Sequence, residues 1–293
     1  MKRLYELTST NKIFSILLPF IIYFVVHDLC QLLLTGFVNS IVAFTGEAWA
    51  LANAKTLTFF VSALSLMAPI IILCFWFKWS LTEVTLEGEK IQNGFKIGNI
   101  VKASSAVWKL EYIITCFIIC ILAASSSLFL NLVFYKIGFT QSSKAYNAVA
   151  SNQYSLDLVL GIILYGILSP LAEELVFRGC MYNQLRRFFK PVLAIGLSSF
   201  FFGAYHFNIV QGIYGFYLGL LITYVYVKTE DFFMPLLFHC VANIAVYVGT
   251  YPGTNWWESN NLAGILITGI TLFISLAVFV VKNRKKPFTS KKQ

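Results

Sequence analysis

Residues 169–179, SPLAEELVFRG, place two glutamates and an arginine inside a segment that is otherwise apolar. On both sides the chain continues as apolar runs joined by short basic segments, and several runs have the roughly 20 residues that a helix needs to cross a bilayer. The whole chain of 293 residues is 58% hydrophobic and 12% charged, with a mean hydropathy of +0.74. These values exclude a soluble globular enzyme and predict an all-α, polytopic membrane protein.

Hydropathy predicts about eight transmembrane helices in a single integral membrane domain that covers residues 1–293. The polar segment 78–109 is predicted to be an interfacial connection, and the basic segment 282–293 a disordered cytoplasmic tail. The predicted spans are 13–38, 57–77, 112–135, 156–176, 191–207, 211–227, 232–249 and 262–281.

The basic residues are divided unevenly between the two sets of loops that an even number of spans creates. With the N-terminus in the cytoplasm, 19 of the 22 Lys and Arg fall in the cytoplasmic set, and the other set holds Lys55, Lys136 and Lys144. The positive-inside rule therefore predicts a multi-pass protein of the plasma membrane with both termini cytoplasmic. Because these residues form no basic face with interleaved aromatics, the net charge of +9 predicts contact with the lipid bilayer and no nucleic-acid partner.

The six cysteines contain no CxxC pair and lie mostly in apolar stretches. They are predicted to be small packing residues of helices, with no disulfide or zinc framework.

Glu174 and Arg178 are four residues apart, so on a helix they share a face and can lower each other's cost of burial. An ionisable group at bilayer depth costs about 2.5 to 3.5 kcal/mol on insertion scales, which makes it a candidate functional residue. Glu173 lies about 100° round the helix and is left without a helical partner. The two acids belong either to a network that locks the helix to its neighbours or to a reactive site.

His206 follows Phe202 by one helical turn in the sequence FGAYH. A hairpin that turns near Phe189 and Lys190 puts Glu173 and His206, each 16 residues from the turn, at nearly the same depth. A carboxylate and an imidazole at one level can bind and activate one water molecule. The alternative is that His206 is a packing group with satisfied hydrogen bonds.

His239 and Asn243 also share a helix face, where an imidazole and a carboxamide can both donate hydrogen bonds to an oxyanion. The alternative is a hydrogen-bonded pair between helices, worth about 0.6 kcal/mol. Counting from the surface puts His239 some two turns closer to the cytoplasm than His206, which requires bent helices or a turn at residues 208–211 inside the protein. His27 and Asp28 are adjacent, point in different directions on a helix and are predicted to be structural.

Three motifs occur in order on successive predicted spans: Glu173-Glu174-x-x-x-Arg178, Phe202-x-x-x-His206 and His239-x-x-x-Asn243. Together they resemble the CPBP family of CAAX proteases and bacteriocin-processing intramembrane endopeptidases, also called Abi. The resemblance covers residues 156–250. It implies a helical membrane enzyme whose cavity opens toward the cytoplasm and which hydrolyses a peptide bond in a peptide or membrane-protein substrate, with roles that include bacteriocin processing and self-immunity.

Carried over by motif position, the resemblance implies that Glu173 with His206 activates the water and that His239 with Asn243 stabilises the oxyanion. The remaining motif residues would support these four; they are Glu174, Arg178 and Phe202.

A zinc ion is an alternative cofactor, because Glu173, His206 and His239 would leave an open position for water. The chain lacks His-Glu-x-x-His, and the depth difference argues against one ion reaching both histidines, so a glutamate-dependent mechanism without metal is favoured. Two other classes stay open: a non-catalytic immunity or adaptor protein, and a proton-coupled transporter. A transporter is expected to have internal repeats or paired broken helices, and neither is evident in the sequence.

Overall fold

The computed structural model describes residues 11–80, 110–252 and 261–284. Within these ranges the chain is helical without a strand, and seven helices are long and apolar enough to cross a membrane. The prediction of a polytopic all-α protein is confirmed, and the chain is an integral multi-pass membrane protein. The helices are α1 (Lys12–Thr45), α2 (Glu47–Ser80), α3 (Leu110–Lys136), α4 (Phe139–Ser142), α5 (Lys144–Gln153), α6 (Leu158–Phe188), α7 (Pro191–Ala204), α8 (Ile209–Thr229), α9 (Phe233–Thr250) and α10 (Asn261–Asn283).

The eight predicted spans correspond to the seven long helices and to α7, which has only 14 residues. A helix of this length is shorter than the roughly 20 residues that cross a bilayer. Helices α1 and α2 are longer than predicted, 34 residues each, because the hydropathy window ends at the polar residues that flank their apolar centres. Residues 47–56 contain four alanines, which favour helix, and only Gly46, with φ of 86°, separates α1 from α2.

Most of the predicted connection 78–109 and of the predicted tail 282–293 lies outside the described residues.

Contacts between distant segments identify one end of the bundle, which we call the α6–α7 end. The ammonium group of Lys12 lies 5.6 Å from the ring centroid of Phe188, so α1 begins where α6 ends. The hydroxyl of Tyr112, at the start of α3, donates to Asp231 Oδ2 over 3.1 Å, between α8 and α9. The rings of Tyr182 and Tyr226 lie 5.8 Å apart, so helices α6 and α8 end on the same side of the bundle.

The opposite end, which we call the α5–α6 end, is identified in the same way. Lys55 Nζ lies 2.6 Å from Asp157 Oδ1, which joins the first turns of α2 to the start of α6. Tyr154, between α5 and α6, forms a hydrogen bond with Thr250 at the end of α9. The starts of α2 and α6 and the end of α9 thus share this side.

Helix α6 is not a uniform α-helix. Two π-helical segments, Ile162–Leu168 and Leu175–Tyr182, flank the α-helical turn Ser169–Glu174. Local π-helical turns are found mostly as single bulges in α-helices and frequently at functional sites. The short α-helical turn between them carries both glutamates of the first motif.

Helices α7 and α8 pack with their backbones close together. A Cβ atom on Gly203 would lie 2.4 Å from the carbonyl oxygen of Gly212, so only glycine fits at this contact. Between the helices, Phe207 adopts a φ of 54°, and the Asn208 side chain caps α8 by accepting from Gln211 N over 2.9 Å. The chain therefore turns immediately after His206, close to the turn that the sequence requires at 208–211.

Candidate functional site

The four residues assigned to catalysis by their motifs line one cavity of about 380 Å³. Helices α6 and α9 each contribute a motif, and the turn after α7 contributes another, while α3, α5 and α8 complete the wall. The motif residues in the lining are Glu173, Phe202, His206, His239 and Asn243. Segments far apart in the sequence are thus brought to a single site.

Glu173 is 5% exposed, and its two carboxylate oxygens have different surroundings. Oε1 accepts hydrogen bonds from Ser169 Oγ over 2.6 Å and from Tyr205 Oη over 2.7 Å. Oε2 lies 3.5 Å from His239 Nε2. The prediction that Glu173 has no helical partner is wrong, because Ser169 lies one turn earlier on α6 and donates to it.

Glu174 and Arg178 form the predicted ion pair, with 2.7 Å between Glu174 Oε1 and Arg178 Nη1 and both side chains fully buried. The guanidinium makes further contacts with α8, to Thr223 Oγ1 and to the carbonyl oxygen of Gly219, each over 3.3 Å. It also lies 4.5 Å from the ring centroid of Phe202. Arg178 therefore links α6 to α7 and α8 behind the cavity, where its charge is compensated by Glu174 and polar contacts.

His239 connects the two adjacent glutamates. Its Nδ1 lies 2.7 Å from Glu174 Oε1, and its Nε2 faces Glu173 Oε2. Because a carboxylate that is paired with an arginine accepts hydrogen bonds, we assign the Nδ1 proton as donated to Glu174. This bond fixes the direction in which Nε2 points, toward Glu173.

His206 is held by the backbone of its own turn. Its Nδ1 lies 3.0 Å from the carbonyl oxygen of Phe202. A carbonyl only accepts hydrogen bonds, so we assign the proton to Nδ1, which leaves Nε2 without this backbone contact. Within the described residues no hydrogen bond joins His206 to Glu173; the neighbouring Tyr205 makes that contact.

The expected depth difference between the two cavity histidines is wrong. The ring of Phe202 packs edge-on against both imidazoles, with centroid distances of 5.5 Å to His206 and 5.4 Å to His239. Counting from the surface fails because α9 starts beside Phe232, which is already buried, and because α7 ends before His206. Both histidines therefore reach the level of Glu173.

Asn243 lies one turn beyond His239 on α9. Its Nδ2 donates to the carbonyl oxygen of Tyr165 over 3.0 Å. This bond uses one of the two amide protons and orients the side chain, while the second proton is left for another acceptor.

The zinc set considered from the sequence, Glu173 with His206 and His239, stays a prediction. Within the described residues no group of three or more His, Cys, Asp or Glu side chains is arranged to hold a metal ion, and Glu173, His206 and His239 lie within that range. His239 Nδ1 and Glu173 Oε1 have protein partners, and the remaining atoms of the two side chains, Nε2 and Oε2, lie 3.5 Å apart.

His27 and Asp28 lie 2.9 Å apart on α1, with Nδ1 of the histidine near Oδ1 of the aspartate. Neither residue lines the cavity.

Two residues of the site, Ser169 and Tyr205, were not identified from the sequence. Ser169 precedes Glu173 by four residues, so helical spacing alone could have suggested the contact. Tyr205 approaches Glu173 only because α7 packs against α6, and no pattern along the chain signals that contact.

Residues 155–245 match the model of a protein family described as Rce1-like, type II CAAX prenyl endopeptidase. This segment contains all three motifs, and the resemblance seen in the sequence is confirmed for it. Two curated proteins are also similar. One is the Bacillus subtilis (strain 168) protein named "Putative membrane peptidase YdiL", which is 24% identical over 47% of this chain and 57% of its own length.

The other is the UPF0177 protein YaiF of Lactococcus lactis subsp. lactis (strain IL1403), which is 27% identical over 39% of this chain and 56% of its own length. The chain thus spans somewhat more than half the length of these two relatives. No solved structure gives a significant match.

Proposed function

We propose that this chain is an intramembrane endopeptidase in which Glu173 activates a water molecule for the hydrolysis of a peptide bond. The observation that carries the proposal is the convergence of Glu173, His206, His239 and Asn243 on one cavity within the helix bundle. They lie in the segment that matches a peptidase family, and a cavity within the spans suits a peptide or membrane-protein substrate.

The environment of Glu173 suits a general base. Two hydroxyl donors hold Oε1, so the carboxylate has a fixed orientation and Oε2 is the oxygen that can accept a proton from water. His206 lines the same cavity, and its Nε2 would orient the water. The proton that Glu173 accepts would then pass to the nitrogen that leaves when the peptide bond breaks.

The charge balance of the buried cluster suits His239 as an electrophilic group. Glu173, Glu174 and Arg178 together carry one net negative charge, which is costly in a low-dielectric interior. A protonated His239 would balance it. The distance from His239 Nε2 to Glu173 Oε2 is 3.5 Å, which exceeds the usual 2.7–3.2 Å of an N–H···O hydrogen bond. The Nε2 proton would therefore be available to a developing oxyanion, and the second amide proton of Asn243 would be available to it as well.

The mechanism therefore needs no metal ion. We extend the proposal to the bacteriocin-processing or self-immunity roles that the motif resemblance implies. A non-catalytic immunity or adaptor protein and a proton-coupled transporter are the alternatives that experiment must separate.

The test compares the parent protein with Glu173→Gln, which keeps the shape of the side chain and removes the base. Both are purified in detergent and incubated with a mixture of synthetic peptides, and the products are identified by mass spectrometry. We expect the parent to cut and Glu173→Gln to bind peptide and keep its melting temperature without cutting. Glu47→Gln is the matched control, because Glu47 is an exposed residue in the first turn of α2 and should leave cleavage unchanged.

Cleavage by Glu173→Gln would refute the assignment of the base. Protection of cells from a bacteriocin that is equally strong with Glu173→Gln would favour the adaptor. Proton-coupled uptake that Glu173→Gln abolishes, in the absence of proteolysis by the parent, would favour the transporter.

A further inference from the structure

The cavity belongs to one end of the helix bundle. Its lining comes from the last turns of α3, the first half of α8, and α9 from His239 onward, and α5 covers it. Because successive spans alternate in direction, all of these segments lie toward the α5–α6 end. On α6 the lining consists of Tyr165, Ser169 and Glu173, which all precede the midpoint or lie at it.

Glu173 forms the floor of the cavity. It lies 15 residues from both Leu158 and Phe188, which corresponds to roughly 22 Å from each end of α6. Beyond Glu173 every residue to Arg186 is buried, so this side of the helix is closed by packed side chains. In the other direction the lining continues through Tyr154 and Gln153 to the exposed residues of α5. Access from water is therefore from the α5–α6 end.

The positive charge of the chain is concentrated at the other end. Turns at the α6–α7 end carry Arg186, Arg187, Lys190 and Lys228. The α5–α6 end carries the three basic residues that the sequence assigned to the non-cytoplasmic loops, which are Lys55, Lys136 and Lys144.

Contacts between helices show that the ends of α2 and α10 also lie at the α6–α7 end. The end of α2 lies there, because Phe77 packs on Phe232 with 4.8 Å between ring centroids. The end of α10 lies there too, because Phe279 is 6.0 Å from the ring centroid of Tyr224. Among the basic residues whose side chains the structure describes, and apart from Arg178 inside α6, seven lie at the α6–α7 end and three at the α5–α6 end; the seven are Lys12, Arg186, Arg187, Lys190, Lys228, Lys282 and Arg284. The positive-inside rule assigns the richer side to the cytoplasm.

Two expectations from the sequence therefore conflict. The charge distribution places the α6–α7 end in the cytoplasm, whereas the family resemblance implies a cavity that opens to the cytoplasm. In this fold both cannot hold, because the cavity opens at the opposite end. We propose that the cavity is entered from the non-cytoplasmic face of the membrane.

The consequence concerns the class of substrate, and it rests on the proposed peptidase function. The substrates are peptide segments presented on the non-cytoplasmic face: translocated chains or the outer ends of membrane proteins. A lipid-modified C-terminus held at the cytoplasmic face would be separated from Glu173 by the packed half of α6.

The first test determines which end of the bundle faces outward, without reference to proteolysis. Lys144→Cys, on the exposed face of α5, and Lys190→Cys, in the α6–α7 turn, are matched exposed positions. Intact cells are treated with a membrane-impermeant maleimide, and the parent serves as the blank for the six native cysteines. We expect Lys144→Cys to be labelled in intact cells and Lys190→Cys only after permeabilisation. The reverse pattern overturns the proposal, and Asn147→Cys replaces Lys144→Cys if that variant accumulates poorly.

The second test uses a peptide sequence that the purified protein cuts. This sequence is fused to a single-span reporter protein, on its cytoplasmic or its non-cytoplasmic side, and the two reporters are expressed with the parent or with Glu173→Gln. We expect the parent to cut only the non-cytoplasmic reporter, and cleavage of only the cytoplasmic one contradicts the proposal. If the purified protein cuts no peptide, the peptidase function fails, and the labelling pattern alone decides from which face the cavity is entered.

Discussion

The Nδ1 atom of His239 lies 2.7 Å from Oε1 of Glu174, the carboxylate oxygen that also contacts Arg178. The second glutamate of the motif thus connects a buried cation to an imidazole of the cavity. A carboxylate that holds a histidine in one orientation is a common device in hydrolases, where its role is to position the reacting group. We assign Glu174 such a positioning role.

Glu174→Gln should separate the structural and the functional contributions of this carboxylate. Removal of one partner of a buried ion pair costs about 3 to 5 kcal/mol, so we expect a lower melting temperature in detergent. The glutamine amide oxygen can still accept the Nδ1 proton of His239, but the bond loses its charge assistance, which corresponds to a fall in kcat of roughly tenfold. Thermal unfolding and steady-state cleavage measure the two effects independently.

The control is the double variant Glu174→Gln/Arg178→Met, which removes both charges together. Stability should largely return, because no uncompensated charge is left buried, while kcat should stay low. Full activity in the folded Glu174→Gln protein would show that His239 needs no such support.

Tyr205→Phe tests whether a fixed orientation of Glu173 matters for the reaction. The variant removes the hydroxyl that donates to Oε1 over 2.7 Å and leaves the ring in place. We expect kcat to fall about tenfold, equivalent to about 1.4 kcal/mol, with KM nearly unchanged, because the base is positioned less well. Tyr165→Phe serves as the comparison, since Tyr165 lines the same cavity but does not donate to Glu173. Equal rates for the two variants would argue against a positioning role for Tyr205.

Much of the site could be predicted from the sequence because charges and amides in apolar helices are rare and expensive. Helical spacing identified the Glu174–Arg178 pair. The equal numbers of residues on the two sides of the α6–α7 turn predicted that the end of α7 lies at the depth of Glu173, and the hydrogen bond from Tyr205 to Glu173 agrees with this. The hydropathy pattern predicted the order of the seven long spans and the position of the short helix α7, since burial in lipid dominates their composition.

What the sequence could not give depends on where helices start and stop inside the protein. His239 was assigned to the wrong depth because α9 begins beside a buried residue, Phe232, and not at the surface. Tyr205 was missed because its hydroxyl meets Glu173 across two helices. The side on which the cavity opens could not be predicted from the sequence either, because it depends on which helix ends line the cavity.

Metal chelation provides a prediction about the zinc alternative. In the proposed mechanism Glu173 alone removes the proton from water, so we expect dialysis against a chelator to leave the cleavage rate unchanged. Metal content measured before and after dialysis confirms removal. Loss of cleavage that zinc restores, and magnesium does not, would contradict a mechanism that depends on Glu173 without metal.

Gly203→Ala tests whether the close contact of α7 with α8 positions His206. The added methyl group would lie 2.4 Å from the carbonyl oxygen of Gly212 and 2.9 Å from the backbone nitrogen of Phe216, so the two helices must separate. Overpacking of this kind costs about 1 to 3 kcal/mol, and we expect a lower melting temperature together with reduced kcat.

Gly196→Ala is the control on the same helix, because its Cβ would meet nothing within 4 Å. We expect it to be neutral or slightly stabilising, by up to about 1 kcal/mol, since alanine favours helix more than glycine does. If Gly203→Ala retained the stability and kcat of Gly196→Ala, the spacing of α7 and α8 would not control the position of His206, and its side chain would have to be held by the Phe202 carbonyl alone.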